Sequence, residues 1–526
     1  LFDYYGIELK YPAKPLMAVV AFLTQLITQM KTILTFRILL TTCLLTINAF
    51  AQDSKPNILI ISADEMVPML LGAYDHPVVK TPNLDKLVAQ GVRFDAAYSN
   101  NPLCAPARAI MLTGRYSSNI RVYDNAAPLA SDIPTINHYL VHQGYETVLS
   151  GKVHFVGPDQ MHGFQKRFID SHYPTDYRWV KSREEKIPRP HFGNYIAKNI
   201  TVDKKSRNLE LDEWAHREAL DYLSDVDGQQ PFFLFVSYNF PHEPFWPPQK
   251  YWDMYKDAEI QLPEFPENWQ DKLSIMDKWL RRHSSTDVED VTDPESIREV
   301  RRAYYALYTY IDDKVGEILE ALENRGLDEN TIIMFTSDHG DMVGEKGMVQ
   351  KRNFNEWSAR IPLIIKYPDG RHAGTQQATP VSLVDIMPTM LEWIDVPIDP
   401  WLDLDGHSLT PLLDGKFDKD RFAILENHSE GVYTTCFSVV KDGYKYNWFT
   451  GYGSQLINLK QDPGEWNNLS GIREYAKLEN SLRKIITDRF DPAELERDVR
   501  YSINSRMLIQ PVLEKHGITW EVKVNK

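Results

Sequence analysis

Thiols are scarce in this chain: three cysteines in 526 residues, at positions 43, 104 and 436. So few exclude a disulfide-built scaffold, which packs several bridges into a short chain. Cys43 lies in the N-terminal leader described below, so Cys104 and Cys436 remain, either bridged to each other or free. Long apolar runs are also missing. The run over 38–47 is much shorter than the roughly 20 residues a membrane span needs. Positive charge is in deficit, with 58 Lys and Arg against 73 Asp and Glu, a net charge of −15. No basic run offsets it, so nucleic acid is not an expected partner, and an anionic ligand requires a small, specific cationic pocket. Internal repeats and low-complexity segments are absent.

What is present is ordinary globular composition, 43% hydrophobic and 25% charged, at a length that suits a large α/β domain with a smaller partner. Lys31 and Arg37 precede the short apolar run, and Ala49-Phe50-Ala51 follows it. A positive start, a short apolar stretch and an A-x-A site read as a secretory signal over 30–51, with Met30 as the start and 1–29 as an upstream extension. The expected destination is the periplasm or the exterior.

From residue 55 onward, β-rich runs alternate with amphipathic stretches, the pattern of a mostly parallel sheet flanked by helices. Strands are predicted at Asn57–Ala63, 147–150, Phe232–Tyr238, 331–336 and 362–367, and helices at Pro82–Gln90 and 299–324. The long helix spaces Val300, Tyr304, Leu307, Ile311, Val315, Ile318 and Leu322 by three and four, so its tyrosines read as packing and not as a sugar platform. The acidic stretch 287–295 reads as a solvated loop. The chain is divided into a catalytic domain over 52–415 and a smaller α+β subdomain over 416–526. The subdomain opens with a hairpin turning at Asp442-Gly443 and closes with a helical tail.

Four polar clusters follow predicted strands, where open α/β sheets gather their active sites. They are Ser62-Ala63-Asp64-Glu65, Gly151-Lys152-Val153-His154, Asn239-Phe240-Pro241-His242 and Ser337-Asp338-His339-Gly340-Asp341. Each alone is weak, but four at the ends of strands in one sheet ask for a common site. A fifth element, Cys104-Ala105-Pro106-Ala107-Arg108, opens a helix that closes at Gly114. The positive end of a helix favours negative charge at Cys104.

With that fifth element the chain, over about 55–515, resembles the type I sulfatases, whose C-x-P-x-R motif directs conversion of cysteine to formylglycine. The resemblance implies an alkaline-phosphatase-like fold, and a maturation enzyme that turns Cys104 into 3-oxoalanine. It also implies a Ca²⁺ ion held by Asp64, Glu65, Asp338, His339 and the modified Cys104. Two ligand positions depart from the family pattern: Glu65 stands where a second aspartate is usual, and His339 where asparagine is frequent. In the implied chemistry, one hydroxyl of hydrated formylglycine attacks sulfur, and the other is deprotonated to expel sulfate. His242 matches the acid for the leaving oxygen, His154 the base, Lys152 and Lys351 the sulfate-holding lysines, and Arg108 the brace of the diol.

Within that family, residues 121–126, 156–164 and 354–360 are similar to the choline-sulfatase branch, as is the tail over 500–517. That likeness implies that Asn125 touches sulfate, that Trp179 and Glu430 face a quaternary ammonium, and that the tail builds a homo-oligomer. A packed aromatic and a surface acid are the plain alternatives for Trp179 and Glu430. Residues 187–199 and 521–526 depart from the branch, and 187–199 carries Arg189, His191 and Asn194, donors suited to sugar hydroxyls or a carboxylate. The expected substrate is a sulfated carbohydrate, with choline sulfate second and a phosphonate or phosphate ester third.

Overall fold

Alternation along Asn57–Ala63 sends Ile58 and Ile60 to one side of a sheet and Leu59 and Ile61 to the other, and both sides are buried in separate apolar clusters. A strand buried on both faces must lie inside a sheet covered by helices. The structure, a computed structural model, describes residues 17–31, 55–183, 199–287, 291–398, 400–416 and 420–524.

In chain order the main sheet contains β1 (Asn57–Ala63), β2 (Val92–Phe94), β3 (Glu146–Gly151), β4 (Lys166–Arg167), β5 (Phe232–Tyr238), β6 (Thr331–Ser337), β7 (Leu363–Lys366) and β8 (Thr375–Gln377). Its spatial order is β8-β2-β7-β6-β1-β5-β3-β4. β1 pairs in parallel with β5 and β6, and β3 with β4 and β5; β7 runs antiparallel between β2 and β6. The sheet is thus mixed, but the adjacent strands β6, β1, β5 and β3 all run one way. Their carboxyl ends carry the four polar clusters.

Helices α1 (Pro82–Gln90), α2 (Cys104–Thr113), α3 (Arg207–Asp225) and α4 (Pro294–Asn324) flank the sheet. Tyr304, Tyr305, Tyr308 and Tyr310 of α4 are all buried, in keeping with packing. The helix begins earlier than the apolar spacing indicates. Asp293 caps it by accepting from Ser296 N, and Pro294 occupies the first turn, so the end of the acidic stretch is helical.

Beyond the main sheet, β9 (Ala423–Asn427), β10 (Cys436–Lys441), β11 (Tyr444–Phe449) and β12 (Gly453–Asn458) form an antiparallel sheet in sequential order. The β10–β11 hairpin turns at Asp442 and Gly443, both with positive φ. Two helices follow, α5 (Ala476–Thr487) and α6 (Pro492–Lys515). The second sheet matches the expected subdomain, yet Ile424, Phe437 and Val439 share an apolar cluster with Ile58 and Met387. The boundary near residue 416 therefore separates two sheets and not two cores.

Cys436 is a free, buried thiol, as is Cys104, so no bridge joins them. Residues 17–31 form a helix with every residue exposed, belonging to a unit separate from 56–526. Among the described residues, no helix is long and apolar enough to cross a membrane. The apolar leader, its Ala51 site and most of 187–199, with Arg189, His191 and Asn194, lie outside the described residues.

Candidate active site

Strand pairing dictates the site. Gly151 ends β3 at φ 116°, and a Cβ there would sit 1.9 Å from the Ser237 carbonyl oxygen of β5. Only glycine allows this approach, and it directs the next residue, Lys152, toward the ends of β1 and β5. Asp64 follows β1, His242 lies four residues beyond β5, and Asp338 follows β6.

Cys104 is the first residue of α2 and is buried. Its Sγ stands where a formylglycine oxygen would be, 3.2 Å from His339 Nε2 and 4.0 Å from Asp64 Oδ1. Burial pushes the Cys104 thiol well up, so unmodified it is a poor nucleophile. Arg108, one turn on, donates from Nε to Asp338 Oδ2 at 2.9 Å and from Nη1 to the Lys152 carbonyl and Ser237 Oγ, both at 2.8 Å. Burial opposes ionisation of Asp338, but Arg108, His339 and Lys152 outweigh it and hold the carboxyl below its usual range.

Asp64, Cys104, Asp338 and His339 bring ligand atoms within 4.8 Å of one another, and all four residues are buried. His339 Nδ1 is 3.0 Å from the Gly340 carbonyl, which fixes the proton there and leaves the Nε2 lone pair facing the two carboxylates at 3.6 Å. Burial pushes this imidazole down to about 4, so it is neutral. Two buried carboxylates, a neutral imidazole and residue 104 suit a divalent cation. Glu65 is placed differently. It belongs to a neighbouring group with His242 and Glu243. There it pairs with the Lys351 ammonium, and His242 Nε2 lies 3.5 Å from its Oε1. Beyond that pair, no hydrogen bond holds either Glu65 oxygen among the described residues.

The proton-carrying candidates flank this centre. His154 is buried, with no partner for either ring nitrogen among the described residues, its face stacked on Tyr173 at 4.5 Å between centroids. Burial, then Lys152 and Arg108, push it well down, so it is a neutral acceptor. His242 Nδ1 lies 3.0 Å from the Glu243 carbonyl, leaving Nε2 as the exchangeable nitrogen. Lys152 pairs with Asp64, and burial pushes its ammonium down to about 8. Lys351 is also buried, and burial with Arg352 pushes it well down.

A cavity of about 880 Å³ opens over Cys104, His154, His242 and Lys351, and Asn125, Trp179 and Glu430 line it too. Asn125 Oδ1 accepts from Ala105 N at 2.9 Å. Glu430 accepts from Asn125 N at 2.8 Å and from Arg352 Nε at 3.3 Å. Trp179 is 40% exposed and meets His154 and Tyr173 edge-on. The expected residues that the structure describes thus gather around Cys104, with Glu65 beside Lys351 and not in the metal cluster.

Sequence reasoning missed Tyr173, whose ring centroid is 4.2 Å from Lys152 Nζ, and Arg183 and Arg352 in the cavity wall. It also missed Asp212, which accepts from Asn239 N and Phe240 N and so holds the turn leading to His242. Tyr173 and Arg183 sit in an irregular stretch with no motif or period to mark them.

A strand-end carboxylate set around a helix-opening cysteine is matched by the family model for sulfatases, over residues 56–396. The chain is a sulfatase. A model for the C-terminal part of N-sulphoglucosamine sulphohydrolase matches 344–491. Among curated relatives, this sulfatase is 37% identical over 483 residues to a choline-sulfatase of Rhizobium meliloti, covering 87% of this chain and 91% of the relative. It is 30% identical to an arylsulfatase of Clostridium perfringens, covering 84% and 95%. Among solved structures, a phosphonate monoester hydrolase of Agrobacterium radiobacter superposes with TM-score 0.68 at 24% identity, over 82% of this sulfatase and 95% of that chain. A protein bound to its substrate D-glucosamine-2-N,6-O-disulfate superposes at 0.67 and 23%, over 85% and 99%. These likenesses establish the alkaline-phosphatase-like fold. The sulfatase is a sulfuric ester hydrolase of a family that uses formylglycine and a metal ion.

Proposed function

We propose that this sulfatase removes sulfate from an anionic, sulfated carbohydrate, with formylglycine at 104 and Ca²⁺ in the Asp64–Asp338–His339 cluster. The observation that carries the substrate class is the cavity wall. Arg183, Lys205 and Arg207 line an opening of about 880 Å³. Of the acids there, Asp124 pairs with Arg506, Glu430 with Arg352, and Glu243 with His242 and Gln350. Arg183 is buried, bonds Glu496 through Nη1 and, among the described residues, has no partner for Nε and Nη2. Such a wall repels a quaternary ammonium and attracts a second sulfate or a carboxylate.

Choline sulfate is the second reading, favoured by Trp179 and Glu430 in the same cavity. A Trp face holds a cation by about 0.5–2 kcal/mol, but Glu430 already neutralises Arg352. The deciding experiment compares kcat/KM on choline sulfate with a panel of sulfated oligosaccharides. Turnover of choline sulfate alone, collapsing in Trp179→Ala, rejects the carbohydrate reading. Phosphonate or phosphate esters are the third reading, tested by the same comparison with their monoesters.

A cation held by Asp64, Asp338 and His339 would supply positive charge beside residue 104. Lys152 and Lys351 offer ammonium groups to the sulfate oxygens, and Arg108 braces residue 104 through Asp338. His242 protonates the leaving oxygen from Nε2, and His154, with free nitrogens, takes the proton that releases sulfate. Three oxygen-bearing residues in reach suit calcium. We further propose export after cleavage near Ala51, and a homo-oligomer through α6, where Leu508 and Val512 are 77% and 54% exposed. N-terminal sequencing of the secreted protein and light scattering of Leu508→Glu test these two.

A further inference from the structure

Arg506 projects from α6 into the body of the protein and forms a forked pair with Asp124, 382 positions away in sequence: Nη1 to Oδ1 at 2.5 Å and Nη2 to Oδ2 at 2.7 Å. Both side chains are about 5% exposed or less. Arg506 Nε donates to Ser502 O at 3.2 Å, so the guanidinium is oriented by its own helix. Among the described residues, Asp124 is otherwise held by Ser429 Oγ at 3.2 Å and Ala126 N at 2.9 Å.

The next residue is Asn125. Its backbone N–H holds Glu430, its side-chain oxygen accepts from Ala105 N beside the nucleophile position, and no protein acceptor among the described residues takes its Nδ2. The amide is therefore oriented with its NH₂ toward the cavity it lines, where a sulfate oxygen is the natural acceptor. Arg506 does not line the cavity. It stands behind the turn that does.

We propose that Arg506 is a positioning residue for sulfate recognition: its forked pair with Asp124 locks the 124–125 turn, and through it the Asn125 amide donor beside residue 104. A buried carboxylate without its guanidinium would swing toward solvent, and the adjacent Asn125 would move with it. A displacement of about 1 Å in such a donor costs up to about 100-fold in rate. The C-terminal helix thereby acts on chemistry it never touches.

The test is a double-mutant cycle on purified, metal-loaded enzyme with 4-nitrophenyl sulfate. Formylglycine content is measured by peptide mass spectrometry to hold maturation constant. Arg506→Ala and Asn125→Ala should each lower kcat/KM about tenfold, mainly through KM, because an amide N–H grips sulfate before and during transfer. Combined, they should lower it no further, since Arg506 acts through Asn125. Should Arg506→Ala fail to fold, Asp124→Ala with Arg506→Ala removes both buried charges and should show the same loss, again absent on an Asn125→Ala background. Unchanged kcat/KM in the folded clamp variants, or losses that multiply with that of Asn125→Ala, overturn the proposal.

Discussion

Arg108 and Asp338 form a buried ion pair, Nε to Oδ2 at 2.9 Å, in which neither side chain is more than 2% exposed. One residue of the cysteine motif thus braces one carboxylate of the metal cluster. Arg108→Ala leaves that carboxylate buried and unpaired, a loss of about 3–5 kcal/mol, together with the hydrogen bonds to Ser237 and the Lys152 carbonyl. The variant should melt well below wild type, and added calcium should restore part of the difference. An unchanged melting temperature rejects the pair as a brace.

Residue 104 should be formylglycine in enzyme made by a host with the maturation machinery, because a plain thiol cannot form the geminal diol that the chemistry uses. Peptide mass spectrometry reads the modification directly. Full activity with plain cysteine at 104 refutes the assignment. Cys104→Ala should abolish turnover and shift the melting temperature little, since the side chain is small and begins a helix held by its other residues.

Removing divalent cations should abolish activity and lower the melting temperature by several degrees, with calcium reversing both. Elemental analysis should find about one ion per chain. A ligand present at 100 times its Kd stabilises by about 2.7 kcal/mol. A chelated, metal-free enzyme that melts and turns over like the untreated one would refute the site.

His242→Ala should be selective. A sugar alkoxide needs a proton to leave and nitrophenolate does not. The loss should therefore be about 100-fold or more on sugar sulfates and within about tenfold on 4-nitrophenyl sulfate. Equal losses would assign His242 to binding.

His76, away from the active site, should contribute to acid lability. Its Nδ1 accepts from Val78 N at 3.2 Å and Val79 N at 3.0 Å, and burial, then Arg301, push the imidazole down to about 4. Protonation would set a third hydrogen against those two donors. A depressed histidine contributes stability that is complete above its unfolded pKa of about 6.5 and is lost as pH falls through about 4. Melting temperatures should fall across that window. His76→Asn, whose side-chain oxygen can accept the same two N–H groups, should flatten the fall; an identical profile in the variant removes His76 as the cause.

The sequence by itself determined the central strands, the polar clusters at their ends and the cysteine that opens α2. Those signals are local: alternation inside a buried strand, a glycine at a close approach, a motif contiguous with its helix. It also carried the family, because Asp64, Lys152, His242 and Asp338 each sit in a short motif that keeps its order along the chain. Only the tertiary structure decided that Glu65 pairs with Lys351, that Glu430 is taken by Arg352 and Asn125, and that Tyr173 lies against Lys152 and His154. Those relations join segments without common periodicity. Arg506 and Asp124 are the extreme case: each reads alone as an ordinary surface charge, and nothing in local sequence announces a partner 382 positions away. Their meeting depends on the whole core closing between them.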